Sequence, residues 1–168
     1  DHMAYSLQYP THKIRWQILT VGKPRTGKTM SMRPLAKIMA GSYRSVSNEN
    51  MAAGWGDVFD SVKAVVVEEV FNNDKRFFNH LKAKFTNDDI ESLNIKGQGI
   101  RKQRNLYAMY MFTNHDNALR FDADEDKLLV IRGPDEGLGD AFYSAFAAAC
   151  ETDAFIGQVY GPLMTRDL

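Results

Sequence analysis

Residues 22–29 contain the first group of side chains with a predicted chemical role. They read Gly-Lys-Pro-Arg-Thr-Gly-Lys-Thr and fit the pattern G-x-x-x-x-G-K-[ST] of a phosphate-binding loop. Glycines allow a tight turn that presents bare N–H groups to phosphate oxygens. Lys28 is placed to reach the β- and γ-phosphates, and the Thr29 hydroxyl is placed to ligate Mg²⁺. A glycine-containing turn without a ligand is the alternative interpretation.

The loop predicts ATP and Mg²⁺ as the cofactors of this chain. An apolar run from Trp16 to Val21 precedes it and a helical pattern follows it, which is the context that the motif requires. The following helix would add the partial positive charge of its N-terminus. The predicted nucleotide contacts are Gly22, Lys23, Pro24, Arg25, Thr26, Gly27, Lys28, Thr29 and Met30.

Two carboxylates, Glu68 and Glu69, follow the continuous apolar run 64–67. The run predicts a strand that is buried on both faces. Ligands of open parallel sheets bind at the carboxyl ends of such strands. We therefore expect Glu68 to hold the metal and Glu69 to orient and deprotonate the attacking water. A solvated acidic pair at a strand end is the alternative.

A further polar strand end is Thr113-Asn114-His115, after an apolar run that begins at Tyr107. The amide of Asn114 can both donate and accept, so we expect it to contact the γ-phosphate and the water. An asparagine of a turn or a helix cap is the alternative. His115 is expected to be a surface or capping histidine, because the scheme already has a base.

A basic hairpin is predicted between residues 91 and 104, with Lys96-Gly97-Gln98-Gly99 at its turn. Its cations suit contact with a phosphate backbone, whose binding energy is mostly electrostatic. The predicted nucleic-acid contacts are Lys96, Arg101, Lys102 and Arg104. A solvated hairpin in which lysine protects a sheet edge is the alternative.

The elements that must position these residues alternate between strand and helix patterns. Such alternation predicts an α/β fold with a parallel sheet covered on both faces. The predicted strands are 16–21, 43–46, 64–67, 106–113 and 127–131, and the predicted helices are 29–39, 47–53, 74–85, 136–150 and 154–163. Pro34 lies inside the first helix and is expected to limit its regularity.

Length and composition indicate one domain with a real core. The chain has 168 residues, 44% hydrophobic residues and a formal net charge of zero, so it lacks an overall basic field. Residues 1–3 are interpreted as a cloning remnant, and residues 4–168 as a single domain excised from a longer protein. Cys150, the single cysteine, is predicted to be buried. A cytoplasmic location without a membrane partner is expected, because no apolar run could span a bilayer.

In this order the motifs resemble superfamily 3 helicases, especially the helicase domain of phage and plasmid primase–helicases. The matching elements are GKPRTGKT, VVVEEV, the LNIKGQGIRK hairpin region and YMFTNHDNAL. The Glu-Glu ending and the lysine–glycine hairpin before the Thr-Asn strand end are similar to this superfamily. The resemblance covers roughly residues 14–168.

The resemblance implies a phosphate-loop ATPase core of the AAA+ type, with an inserted β-hairpin, that works as a hexameric ring. Single-stranded DNA and further copies of the chain would be the partners, and a primase domain would belong to the full-length protein. Lys96 would lie at the DNA-gripping tip, and Asn114 would sense the γ-phosphate. A bacterial host cytoplasm is the implied location.

One departure from this family concerns the arginine that a neighbouring subunit supplies to ATP. The matching stretch has Lys127 in place of arginine, and lysine lacks the planar fork of the guanidinium group. Arg120 and Arg132 are alternative candidates. ATPase activity is therefore expected to be weak, because such a finger contributes about 10³–10⁵ in rate in well-studied phosphate-loop enzymes.

Two other functions use the same loop. A nucleotide-dependent loader, switch or packaging adaptor that acts on a protein partner is favoured by the zero net charge and the missing arginine. A small-molecule kinase is less well supported, because the acidic pair suits the activation of water and no arginine-rich lid follows.

Overall fold

The computed structural model describes residues 1–49, 56–71, 75–86, 90–119, 121–122 and 124–168. Its strands are β1 (Gln17–Val21), β2 (Tyr43–Ser47), β3 (Ala64–Glu68), β4 (Ile90–Ile95), β5 (Gly99–Arg104), β6 (Ala108–Thr113) and β7 (Leu128–Arg132). Its α-helices are α1 (His2–Gln8), α2 (Arg33–Ile38), α3 (Lys75–Thr86), α4 (Asp140–Ala149) and α5 (Asp153–Thr165). Two 3₁₀ turns, Thr29–Met32 and Gly56–Phe59, complete the described elements.

Five strands form a parallel sheet in the order β2-β3-β6-β1-β7. The predicted α/β fold with a parallel central sheet is thus confirmed. The order places β6 between the strand that precedes the 22–29 loop and the strand that ends in glutamate. Because parallel strands share one carboxyl edge, the loop after β1 and the ends of β6 and β3 lie side by side.

The central strands are buried because both faces of the sheet are covered. On one face, Ala64 and Val66 of β3 pack in a cluster with residues of α2, and Tyr5 of α1 packs against it. On the other face, Val65 and Val67 pack in a cluster with residues of α3, the 56–59 turn and the hairpin. The alternation along β3 follows from the period of two in a strand.

The hairpin of β4 and β5 is antiparallel and confirms the hairpin predicted from the sequence. Gly97 and Gly99 both have positive φ, at 77° and 83°, a conformation that favours glycine. Leu93 and Ile95 are buried in the core cluster and attach the hairpin to the domain. Its opposite face is open, and Ile100 is 78% exposed.

Several predicted element bounds were wrong. The helix predicted at 29–39 is a 3₁₀ turn followed by the short α2, because Pro34 occupies the first turn of the α-helix. The helix predicted from residue 136 begins at Asp140, after Gly139 with φ of 85°. Ser47, predicted to begin a helix, ends β2, while Asn48 and Glu49 are helical and residues 50–53 of the predicted helix lie outside the described residues.

Of the N-terminal residues 1–3, His2 and Met3 belong to α1 and Asp1 precedes it. His2 is buried, its Nε2 lies 3.2 Å from the carbonyl oxygen of Trp16, and its ring packs edge-on against Tyr110. Burial lowers the pKa of His2 to about 4. Cys150 is buried, as predicted.

Strand β7 forms an edge of the sheet and pairs with β1 alone among the described strands. Leu129, Val130 and Ile131 are each more than 40% exposed, although they point alternately to the two faces. An apolar edge strand with unpaired backbone groups is a template for contact with another chain.

Candidate functional site

A cavity of about 360 Å³ lies at the carboxyl edge of the sheet. It brings together the 22–29 loop and the polar ends of β3 and β6, which are far apart in sequence. Its lining includes Lys28, Glu68, Glu69 and Asn114. The remaining lining residues are Pro24, Arg25, Thr26, Gly27, Thr29, Met30, Phe112 and Thr113.

Lys28 is held by oxygens of its own loop and of the neighbouring strand end. Its Nζ donates to the carbonyl oxygens of Gly22 at 2.7 Å and Lys23 at 2.6 Å, and to Asn114 Oδ1 at 2.8 Å. These contacts occupy the three protons of an ammonium group. Partial burial lowers the pKa of Lys28. An anion that enters the loop must therefore replace chain oxygens around Lys28.

Asn114 follows β6 directly, and its position is fixed by the sheet. Gly22 N–H donates to the carbonyl oxygen of Thr113 at 3.1 Å, which joins the start of the loop to the end of β6. Thr113 is buried, while Asn114 is exposed toward the cavity. Asn114 therefore lies beside the loop lysine, and its contact with a phosphate remains a prediction.

The backbone of Glu69 has an unusual conformation at the point where its side chain meets the cavity. Its φ is +53°, in the left-handed region that non-glycine residues seldom adopt. The next residue, Val70, is buried, and its N–H donates to the carbonyl oxygen of Phe112 at 2.8 Å. The turn after β3 is therefore fastened to β6, with the Glu69 side chain lining the cavity.

Glu68 lies between two cavities. It lines the first and also a second of about 630 Å³, whose lining includes Ser45 and Glu49. Ser45 Oγ donates to Glu68 Oε1 at 2.5 Å. No sequence pattern indicated this partner, because Ser45 belongs to β2 and reaches Glu68 only through the pairing of β2 with β3.

Oxygen donors in the cavity are of the kind that Mg²⁺ prefers. Thr29 offers a hydroxyl and Glu68 a carboxylate, both on the cavity wall. No group of three or more His, Cys, Asp or Glu residues in the described ranges could hold a metal ion. The donor set therefore fits a Mg²⁺ ion that takes further ligands from substrate phosphates and water, as Mg²⁺ commonly does.

Lys127 lies at the opposite edge of the sheet from the cavity. Its carbonyl oxygen accepts from Gln17 N–H at 2.8 Å, where β1 and β7 begin, and its Nζ contacts Asp126 at 2.9 Å. Arg132 lies at the carboxyl end of β7, beside Val21, and contacts Asp116 at 2.5 Å. Arg120 is outside the described residues. Lys127 is thus not part of this chain's own cavity, and its role toward a neighbouring subunit remains a prediction.

The hairpin cations have different surroundings. Arg101 contacts Asp60 at 3.1 Å, and Arg104 donates to the carbonyl oxygen of Thr11 at 3.2 Å, so both contact residues outside the hairpin. Lys96 lies in the exposed turn. Lys102 pairs with Ser92 in the ladder and is exposed. Contact with a nucleic acid remains a prediction for all four.

The fold and the cavity define an α/β protein with a five-stranded parallel sheet, an attached antiparallel hairpin and a polar cavity at the carboxyl edge. The chain belongs to a protein family of unknown function, DUF5906, whose model matches residues 20–132. That match includes the loop, both carboxylates, Asn114 and the hairpin. A comparison with curated proteins gave no significant match.

Solved structures with the same fold include forms of the NrS-1 C-terminal region. An apo structure of its residues 305–718 has a TM-score of 0.81 at 18% identity, covering 99% of this chain and 40% of that chain. An A-form apo structure has a TM-score of 0.78 at the same identity and coverage. This chain thus spans less than half of the matched region. At 18% identity the likeness shows the fold alone.

None of the helices in the described ranges combines the length and apolar character that crossing a membrane requires.

Proposed function

We propose that this chain is an ATPase motor domain that acts on single-stranded DNA in a replication protein. The proposal is based mainly on the hydrogen bond from Lys28 Nζ to Asn114 Oδ1, at 2.8 Å. It lies in a cavity that Glu68 and Glu69 also line. A cation, an amide and two carboxylates at one sheet edge match the needs of phosphoryl transfer to water.

In this scheme the loop residues bind the phosphates, and Lys28 exchanges its chain oxygens for phosphate oxygens. Asn114, released from Lys28, would contact the γ-phosphate and the attacking water. Glu69 would take a proton from that water as its oxygen bonds to the γ-phosphorus and the bond to ADP breaks. Bound Mg²⁺ would neutralise phosphate charge, held by Thr29 and Glu68.

Assembly into a ring would bring a cation from a neighbouring copy to the cavity. Among the described residues that line it, Arg25 is the only arginine, and it belongs to the loop itself. A neighbouring copy would provide the cation that stabilises the transition state, with Lys127 or Arg132 of this chain serving the next cavity in turn. Isolated monomers are then expected to bind ATP and to hydrolyse it slowly.

The deciding experiment measures ATP hydrolysis with and without single-stranded DNA, on material whose oligomeric state is determined by light scattering. We expect slow turnover by monomers and faster turnover by oligomers with DNA. Absence of ATP binding by the wild-type chain would refute the proposal. ATPase activity that DNA leaves unchanged would instead favour the second candidate function.

That second candidate is a nucleotide-dependent switch, loader or adaptor that acts on a protein partner. The contacts of Arg101 with Asp60 and of Arg104 with Thr11 favour it, because these cations support the hairpin on its own domain. The zero net charge and the apolar edge of β7 are also consistent with a protein partner.

A further inference from the structure

Residues 133–143, here called the strap, run along the 22–29 loop after β7. The strap begins at Gly133, whose N–H donates to the carbonyl oxygen of Val21 at 2.7 Å. A Cβ atom placed on Gly22 would lie 3.4 Å from the Cα of Gly133. The start of the strap and the start of the loop are therefore in close backbone contact.

The middle of the strap contacts the loop at Arg25. A Cβ atom placed on Gly137 would lie 2.6 Å from the carbonyl oxygen of Arg25, so only glycine fits at this position. Arg25 itself has φ of +62°, a costly conformation for a residue with a side chain. Gly137 therefore contacts the loop at Arg25, where the backbone conformation is unfavourable unless neighbouring contacts hold it.

The end of the strap contacts the loop at Gly27. A Cβ atom on Gly27 would lie 2.6 Å from Cε1 of Tyr143, so the half-buried tyrosine ring covers the backbone beside Lys28. The Tyr143 hydroxyl accepts from Leu138 N–H at 3.1 Å, which closes the strap on itself. An exposed ion pair between Lys23 and Asp135, at 3.6 Å, adds little.

The described residues that line the cavity include the loop from Pro24 to Thr29 but none of the strap. The strap therefore supports the loop from outside the cavity. We propose that the strap sets the shape of the loop and thereby its affinity for the nucleotide, with Gly137 and Tyr143 as positioning residues. This inference rests on the proposed nucleotide binding and adds a determinant of affinity outside the motif.

The substitution Gly137→Ala tests the inference, because it forces the strap away from Arg25 without removing a side chain. We expect the Kd for ADP with Mg²⁺, measured by calorimetry, to rise about tenfold, as expected for overpacking at a close contact. In ATPase assays KM should rise while kcat at saturation stays the same. Gly157→Ala on α5 is the matched control, because its Cβ would meet no atom within 4 Å.

The unfolding temperature without nucleotide shows whether the variant folds. If Gly137→Ala does not fold, Tyr143→Phe is the variant that tests the inference. It keeps the ring and removes only the hydrogen bond that the hydroxyl accepts from Leu138 N–H. That variant should weaken ADP binding about two- to threefold, in line with the loss of one exposed hydrogen bond. An unchanged Kd in the folded variant overturns the inference. A wild-type chain that does not bind ADP overturns the proposed function itself, so the two failures are distinguishable.

Discussion

Lys28 in the 22–29 loop and Lys102 in the hairpin have opposite surroundings. Lys28 is enclosed by oxygens from its own loop and from Asn114, a residue far away in sequence. Lys102 lies on the open face of a hairpin whose ladder pairs residues close in sequence. The loop region depends on the neighbouring strand β6, whereas the hairpin is held by its own ladder, by the buried side chains of Leu93 and Ile95 and by the contact of Arg101 with Asp60.

This difference indicates that the two regions can be altered separately. A change in the cavity should affect nucleotide chemistry and leave nucleic-acid binding at low salt unchanged. A change on the open hairpin face should do the reverse. Coupling between them would then arise only when both ligands are present, or in an assembly of several copies.

The largest expected effect is that of Glu69→Gln. Loss of the proposed base should lower kcat by about 10²–10⁴-fold, the usual contribution of general base catalysis. ATP affinity and binding to single-stranded DNA should change little, because the amide keeps the size of the side chain. Single-turnover hydrolysis and calorimetry measure the two quantities. Wild-type turnover by this variant would remove Glu69 from the mechanism.

Lys28→Ala should weaken ATP binding by about 100-fold, the scale of a lost charged hydrogen-bond partner. It also removes the Lys28 donor from the carbonyl oxygens of Gly22 and Lys23, of which that of Lys23 still accepts from Thr26 Oγ1. Lys37→Ala on α2 is the control, since it removes an exposed lysine that pairs with Glu151. Equal ATP affinity in the Lys28→Ala and Lys37→Ala variants would contradict the site. If Lys28→Ala weakened DNA binding as well as ATP binding, the two regions would not be independent.

Lys102→Ala should weaken binding to single-stranded DNA by several-fold and reduce the magnitude of its salt dependence by about 0.7 in log–log slope, as for one lost phosphate contact. Arg101→Ala should have a smaller effect, because Arg101 already contacts Asp60 at 3.1 Å. Fluorescence anisotropy at several salt concentrations measures both. A larger loss for Arg101→Ala than for Lys102→Ala would reverse our assignment of the hairpin faces.

The smallest effect belongs to Ser45→Ala, which removes the donor to Glu68. The freed carboxylate should bind the metal more readily, so the Mg²⁺ concentration for half-maximal hydrolysis should fall by about two- to threefold, the value of an exposed hydrogen bond. Ser45→Thr keeps the hydroxyl and should behave as wild type. A Mg²⁺ titration that is identical for all three chains would show that this bond has no influence on the metal.

Local sequence patterns were sufficient to predict much of the fold. The apolar run 64–67 predicted a buried strand because both faces of β3 are covered, and Gly97 marked the hairpin turn because its φ is positive. The position of Asn114 at the tip of the strand beside β3 was also predicted, and the sheet then places it 2.8 Å from Lys28. Pro34 signalled an irregular helix, although not that the first turn would be 3₁₀.

Long-range contacts accounted for what sequence patterns missed. Ser45 reaches Glu68 only because β2 pairs with β3, and no local pattern contains that pairing. Residues 136–139 of the strap were wrongly predicted as helix, although Pro134 and the glycines at 137 and 139 are typical of a loop. The burial of His2 likewise depends on Trp16 and Tyr110 from other elements.

The left-handed backbone of Glu69 has a consequence for the balance between stability and activity. Among the described residues, the non-glycine residues with positive φ are Arg25, Ser61 and Glu69, and the first and last line the cavity. Such conformations cost about 1–3 kcal/mol each, and asparagine tolerates them better than glutamate. Glu69→Asn should therefore unfold at a higher temperature than the wild type while it loses turnover. At this position a more stable protein and a more active one would require different residues.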